Sequence, residues 1–100
     1  MGAQVIRRVV VRGLVHGVGY RAFVEDQALL LGLEGWVRNR RDGTVESVIA
    51  GAPEAVGEMI EACRRGPFSA QVDGLDVSEA AADVLAHRRR GERFSVLTTI

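Results

Sequence analysis

The sequence contains no lysine, and all 13 of its permanently cationic side chains are arginine. A lysine amine is required for Schiff-base chemistry and for a phosphate-binding loop of the Walker type, so both are excluded. The 13 acidic side chains bring the formal net charge to zero. A chain without net charge has no global field that would draw it to nucleic acid or to a membrane, and neither is expected as a partner.

Cysteine and histidine are almost as scarce. Cys63 is the single cysteine, which excludes an intramolecular disulfide, and His16 and His87 are the only histidines. This inventory predicts neither a metal site nor a cofactor. The N-terminus lacks a signal-peptide pattern, and no apolar run approaches the ~18 residues of a membrane span, so a cytoplasmic protein is expected.

One hundred residues, of which 47% are hydrophobic and 26% are charged, fit one globular domain spanning residues 1–100. Val5–Arg12 is rich in β-branched residues and predicts a strand whose Val9 and Val11 face the core. Gly13–Gly19 holds three glycines and predicts a loop. Arg21–Leu33 follows as a helix, since Val24, Ala28 and Leu31 share one face.

A hairpin and a second helix come next. Asp42-Gly43 separates two predicted strands, Trp36–Arg40 and Thr44–Ala50, which is typical of a hairpin turn. The second helix begins near Pro53 and is closed by Arg64-Arg65-Gly66. Its apolar residues have helical spacing, which makes the cysteine a core residue: Val56, Met59, Ile60 and Cys63.

Val72–Val77 and Phe94–Thr98 predict two further strands, and the Ala-rich, then basic segment Glu79–Arg93 fits either a short helix or a mobile connection. The order strand, helix, strand, strand, helix, strand matches a ferredoxin-like split βαβ sandwich of the α+β class. We therefore expect an antiparallel sheet with two helices on one face and the last strand at an edge.

The loop Gly13–Arg21 is the first candidate site. Its backbone N–H groups, together with the start of the helix, could cradle a phosphate-like anion. Arg21 in the first helical turn opposes the helix dipole unless such an anion is bound. Spacing alone leaves two alternatives open, namely an anion cradle or a simple turn with Arg21 in solvent. A dinucleotide fingerprint at Gly17, Gly19 and Ala22 is excluded by the small number of βα units.

Asn39 is the second candidate, at the end of a strand before the hairpin turn. Its amide could hold a water molecule and still bond elsewhere. Asparagine is also common at strand ends as a stabiliser of turns, and this alternative stays open. Trp36 is interpreted as packing. Arg38, Arg40 and Arg41 are interpreted as a solvated strand face, with assistance to an anionic substrate as the open alternative.

The two segments together resemble the signatures of the acylphosphatase family. Gly13–Arg21 matches Gly-x-Val-Gln-Gly-Val-x-Phe-Arg, with His16 where Gln is common and Tyr20 where Phe is common. Gly35–Glu46 matches Gly-Trp-Val-Arg-Asn followed by Asp-Gly-x-Val-Glu at every defined position. The resemblance extends from about Val5 through Val77 and weakens afterwards, where the segment before the last strand is longer and more basic than in the family.

This resemblance implies a hydrolase that converts small acyl phosphates to carboxylate and inorganic phosphate without a metal. It makes Arg21 the phosphate-binding residue and Asn39 the residue that positions the attacking water. The substrate-binding loop would comprise Val15, His16, Gly17, Val18, Gly19 and Tyr20. His16 stands at a Gln position, so it is not assigned as a general base; backbone bonding in the cradle and side-chain bonding within the loop are expected of it.

Two other functions remain as alternatives. The same fold could serve as a non-catalytic anion-binding module, because a fold does not fix function. It could also present an RNA-binding sheet, but such sheets need exposed aromatic side chains, and only 5% of this chain is aromatic. We therefore expect a monomer whose partners are acyl phosphate and inorganic phosphate.

Overall fold

Five strands and three helices follow one another along residues 3–100, the part of the chain that the computed structural model describes. The elements are β1 (Val5–Leu14), α1 (Tyr20–Leu30), β2 (Glu34–Asn39), β3 (Val45–Gly51), α2 (Pro53–Arg65), β4 (Gln71–Glu79), α3 (Ala82–Leu85) and β5 (Phe94–Val96). None of these helices is long and apolar enough to cross a membrane.

The strands form one sheet in the order β4-β1-β3-β2-β5. β1 pairs antiparallel with β3 and β4, and β2 pairs antiparallel with β3, which confirms the ferredoxin-like prediction. The expectation of a wholly antiparallel sheet is wrong, because β5 runs parallel to β2. The last residues of β4 and the first residues of β2 lie on the same side of the sheet. The chain therefore enters β5 beside the start of β2, and the two strands run in the same direction.

The main core lies between one face of the sheet and the helices α1 and α2. Val9 and Val11 of β1 are buried there, as their alternation predicts, and Cys63 of α2 is fully buried as a core residue. Val24 and Ala28 of α1 are also fully buried. The periodicities of the strand and of both helices therefore predict the faces that pack against each other.

Residues 80–93, the segment for which the sequence left two alternatives, cover the part of the opposite face that β2 and β3 form. Trp36 is fully buried on this face, and its indole N–H donates to the carbonyl of Val84 at 2.8 Å. The guanidinium of Arg38 lies 4.6 Å from the centre of the Trp36 ring. The segment contains the short helix α3, which packs against Trp36 and is bonded to it through the carbonyl of Val84.

Several element boundaries differ from the prediction. α1 ends at Leu30 rather than Leu33, because Gly32 adopts a left-handed conformation with φ 71° and Leu33 turns into the core, where it is fully buried. Gly35 lies within β2, which begins at Glu34 rather than at Trp36. The ends of all five strands shift by no more than two residues, and β1 extends through Gly13 to Leu14, into the predicted loop.

Candidate active site

The loop between β1 and α1 depends on two glycines. Gly17 has φ 70° and Gly19 has φ 79°, a left-handed conformation that side chains with a Cβ disfavour. The N–H groups of residues 16–19 bond to no backbone acceptor among residues 3–100. A glycine-rich loop with several free N–H groups is the type of backbone that binds anions in other proteins.

The first turn of α1 adds to this electrostatic pattern. Gly19 precedes the helix and supplies no capping side chain, and the first turn contains no acidic residue. The first N–H groups of a helix have no acceptor within it, and the helix dipole makes this end positive. Arg21, also in the first turn, increases the positive charge, so the helix start favours a bound anion.

A cavity of about 310 Å³ opens at this point and brings the two candidate residues together. Arg21 and Asn39 both line it, although they come from a helix and from a strand 18 positions apart in sequence. Four of the predicted loop residues also line it: Val15, Gly17, Gly19 and Tyr20. The side chains of His16 and Val18 belong to the same loop but are not part of the lining.

Arg21 supplies the positive charge in the lining of this cavity. It is half-buried, yet it forms neither a salt bridge nor a side-chain hydrogen bond with any residue of the described range 3–100. The other arginines in that condition are exposed to solvent: Arg41, Arg65 and Arg90. Partial burial of a cation without an anion costs free energy, which a bound anion would recover.

Asn39 ends β2 and has unused hydrogen-bonding capacity. Its Oδ1 atom is buried and has no partner among the described residues. The turn that follows is stabilised by Asp42 instead, whose carboxylate accepts from the N–H of Thr44 at 3.0 Å and from its hydroxyl at 2.6 Å. These hydrogen bonds from Thr44 lower the pKa of Asp42. The alternative role of Asn39 as the turn stabiliser is therefore filled by another residue.

Tyr20 connects the start of α1 to the end of α2. Its hydroxyl donates to the carbonyl of Cys63 at 2.6 Å, and its ring is buried. Burial raises the pKa of the Tyr20 hydroxyl well above its ordinary value, so the group stays protonated and remains a donor. Burial also raises the pKa of Cys63 to about 12, which keeps the thiol neutral and unreactive.

The cavity also includes residues that sequence reasoning missed. Glu25 and Ala22 line it, and so does Val96 of β5. Glu25 lies one helical turn after Arg21, so helical spacing could have placed both on one face. Within residues 3–100 there is no cluster of three or more histidine, cysteine, aspartate or glutamate side chains that could hold a metal ion.

Comparison with known proteins places the chain among enzymes of one family. The family model described as Acylphosphatase matches residues 7–94. An acylphosphatase from Rhodopseudomonas palustris (strain BisB18) is 60% identical over 98 residues, which cover 98% of this chain and 99% of that protein. An acylphosphatase from Bradyrhizobium diazoefficiens is 56% identical over 98 residues, with coverage of 98% and 99%. The crystal structure of acylphosphatase from Bacillus subtilis superimposes with a TM-score of 0.80 at 34% identity, covering 95% of this chain and 99% of that one.

Proposed function

The chain belongs to the acylphosphatase family, hydrolases that act on acyl phosphates, and from that premise we propose how it performs the reaction. It cleaves the bond between the carboxyl group and the phosphate of small acyl phosphates without a metal ion. Arg21 and the loop from Val15 to Tyr20 hold the phosphoryl group. Asn39 positions the attacking water.

The observation that carries this proposal is the pairing of two unsatisfied groups at one cavity. Within residues 3–100, Arg21 is a half-buried cation without an anion, and Asn39 has a buried acceptor without a donor. An unsatisfied buried acceptor costs about 1–3 kcal/mol, so neither arrangement helps the protein to fold. A phosphoryl group beside Arg21 and a water beside Asn39 would satisfy both.

The chemistry then consists of positioning and electrostatics. The guanidinium of Arg21 and the free N–H groups of the loop bind the equatorial phosphoryl oxygens and stabilise their charge in the transition state. Asn39 holds a water in line with the departing carboxylate. A carboxylate is a good leaving group and needs little protonation, so neither a general acid nor a covalent intermediate is required.

We further propose that the chain acts as one domain and as a cytoplasmic monomer, with acyl phosphate and inorganic phosphate as its partners. No nucleic acid and no membrane takes part. Gel filtration at several protein concentrations tests the oligomeric state, and an elution volume that shifts with concentration would contradict it.

Hydrolysis of benzoyl phosphate in the presence of a chelator, by wild type and by Asn39→Ala, tests the reaction and the role of the amide. We expect wild-type turnover to persist with the chelator. In the variant kcat should fall by about 10²-fold, whereas the inhibition constant of inorganic phosphate should change little.

Three outcomes would contradict parts of the proposal. Loss of wild-type activity with the chelator would show that a metal is required. Equal losses in kcat and in phosphate affinity would assign Asn39 to binding rather than to the water. Phosphate binding by a wild type that hydrolyses no acyl phosphate would make the chain an anion-binding module.

A further inference from the structure

His16 lies in the loop from Val15 to Tyr20, which we call the phosphate loop. Its side chain points to the hairpin between β2 and β3 and does not line the cavity. Its Nε2 atom is 2.8 Å from the carbonyl oxygen of Thr44, 28 positions away in sequence. The expectation that this side chain bonds within its own loop is therefore wrong. The ring joins the loop to the segment between β2 and β3.

The carbonyl of Thr44 also fixes the backbone beside Asn39. The same oxygen accepts the N–H of Arg40 at 2.9 Å, and Arg40 directly follows Asn39. Thr44 is itself held by two hydrogen bonds to the carboxylate of Asp42. The carbonyl oxygen of Thr44 thus accepts two hydrogen bonds, one from His16 of the phosphate loop and one from Arg40, the residue next to Asn39.

The identity of the acceptor determines which nitrogen of His16 carries a proton. A carbonyl oxygen only accepts hydrogen bonds, so Nε2 must be the donor and is protonated in the neutral ring. This nitrogen is committed to Thr44 and cannot accept a proton from a water molecule. The geometry therefore excludes His16 as a general base acting through Nε2 and gives it a structural role instead.

We propose that His16 is a positioning residue that sets the distance between the phosphate loop and Asn39. The inference rests on the proposed function, in which the loop holds the phosphoryl group and Asn39 holds the water. In-line attack requires the two to be held in a fixed geometry, and a displacement of ~1 Å can cost about 10²-fold in rate. The bond from His16 to Thr44 is a direct side-chain link between the two halves of the site.

A double-mutant cycle with Asn39 separates positioning from a general effect on the fold. We expect His16→Ala to lower kcat for benzoyl phosphate by about 10- to 100-fold while the inhibition constant of phosphate changes by less than about threefold. In an Asn39→Ala background the same substitution should lower kcat by less than about threefold, since there is no positioned water left to misplace. His16→Gln, whose amide can donate to the same carbonyl, should restore most of the activity.

His87→Ala is the matched control. This second histidine lies on the other face of the sheet, with its ring 5.9 Å from that of Trp36, and its removal should leave kcat unchanged. Equal losses for His16→Ala with and without Asn39, or a wild-type kcat in His16→Ala, would overturn the inference. Wild type that hydrolyses no benzoyl phosphate would instead remove the proposed function on which it rests.

Nitrogen NMR of the wild-type imidazole keeps the inference testable if the alanine variant fails to fold. The expected spectrum at neutral pH has His16 protonated on Nε2, whether or not Nδ1 also carries a proton. A neutral ring protonated on Nδ1 alone would break the bond to Thr44 and overturn the assignment.

Discussion

Two buried polar clusters, one on each face of the sheet, differ in whether their hydrogen bonds are satisfied. On the face covered by α3, Glu46 has a side chain only 2% exposed, and its carboxylate forms salt bridges with both Arg8 and Arg38. On the face covered by α1, Arg21 is half-buried without any partner among residues 3–100, and Asn39 has an unpaired Oδ1. The polar groups of the first cluster have partners within the described residues, and Arg21 and Asn39 Oδ1 in the second do not.

The difference predicts which charges serve the fold and which serve the proposed reaction. A buried carboxylate flanked by two guanidinium groups has its desolvation offset within the protein, so its removal should affect folding. A cation left without a counter-ion contributes nothing comparable to the fold, so its removal should affect ligand binding and turnover. Arginine occurs in both clusters, and the presence or absence of an anionic partner within residues 3–100 distinguishes them.

The largest expected change in stability is that of Glu46→Ala. Removing the carboxylate leaves Arg8 and Arg38 without their shared anion, and we expect a loss of about 3 kcal/mol in the free energy of unfolding. This is the low end for a broken buried pair, since both arginines keep partial access to water. Urea unfolding followed by circular dichroism measures it, and kcat per folded molecule should stay at the wild-type value. A normal stability with lost turnover would reverse the roles of the two clusters.

Stability at high pH provides a second test, because the Tyr20 hydroxyl and the Cys63 thiol are buried in their neutral forms. In the unfolded chain, which has no lysine, Cys63 and Tyr20 are the side chains that lose a proton between about pH 8 and 11. Burial raises both pKa values, so the folded chain keeps protons that the unfolded chain releases. Stability is complete below about pH 9 and falls above it, by about 1.4 kcal/mol per pH unit for each ionising group.

Urea unfolding at a series of pH values measures this slope, and Tyr20→Phe is the control that should remove the part of it above about pH 10. A free energy of unfolding independent of pH from 9 to 11 would mean that neither group is buried as described.

The smallest effect is expected from Glu25→Gln. Glu25 is the carboxylate in the cavity lining and should repel the phosphate that Arg21 attracts. Its neutralisation should lower the inhibition constant of phosphate by about 2- to 5-fold at low salt, and less at high salt, because partly exposed charges are screened. The inhibition constant at two ionic strengths measures this. Weaker phosphate binding in the variant would mean that Glu25 supports Arg21 rather than opposing it.

Local patterns predicted the parts of the fold that depend on neighbouring residues. The apolar spacing of α2 gave its buried face, and the alternation of Val9 and Val11 gave the orientation of β1. The parallel pairing of β5 could not be predicted in this way, because three residues carry too little pattern to fix a direction. The role of residues 80–93 depends on contact with Trp36, which no periodicity within the segment encodes.

The candidate site likewise has residues that sequence motifs predict and contacts that only the folded chain shows. Arg21 and Asn39 could be named from the sequence, since one opposes a helix dipole and both lie in recognisable motifs. The cavity that joins them required the structure, as did the contribution of Val96 from the far edge of the sheet. The bond between His16 and Thr44 joins two loops distant in sequence, so only the folded chain reveals it.

The most direct test of the role of Arg21 is kcat/KM for benzoyl phosphate in Arg21→Ala, measured on protein whose folding is verified by its unfolding transition. We expect a loss of at least about 10²–10³-fold with no loss of stability, and poor rescue by Arg21→Lys, which cannot grip two phosphoryl oxygens. Wild-type turnover in Arg21→Ala, or a loss of activity matched by a loss of folded protein, would contradict the claim that this unpaired charge serves the substrate.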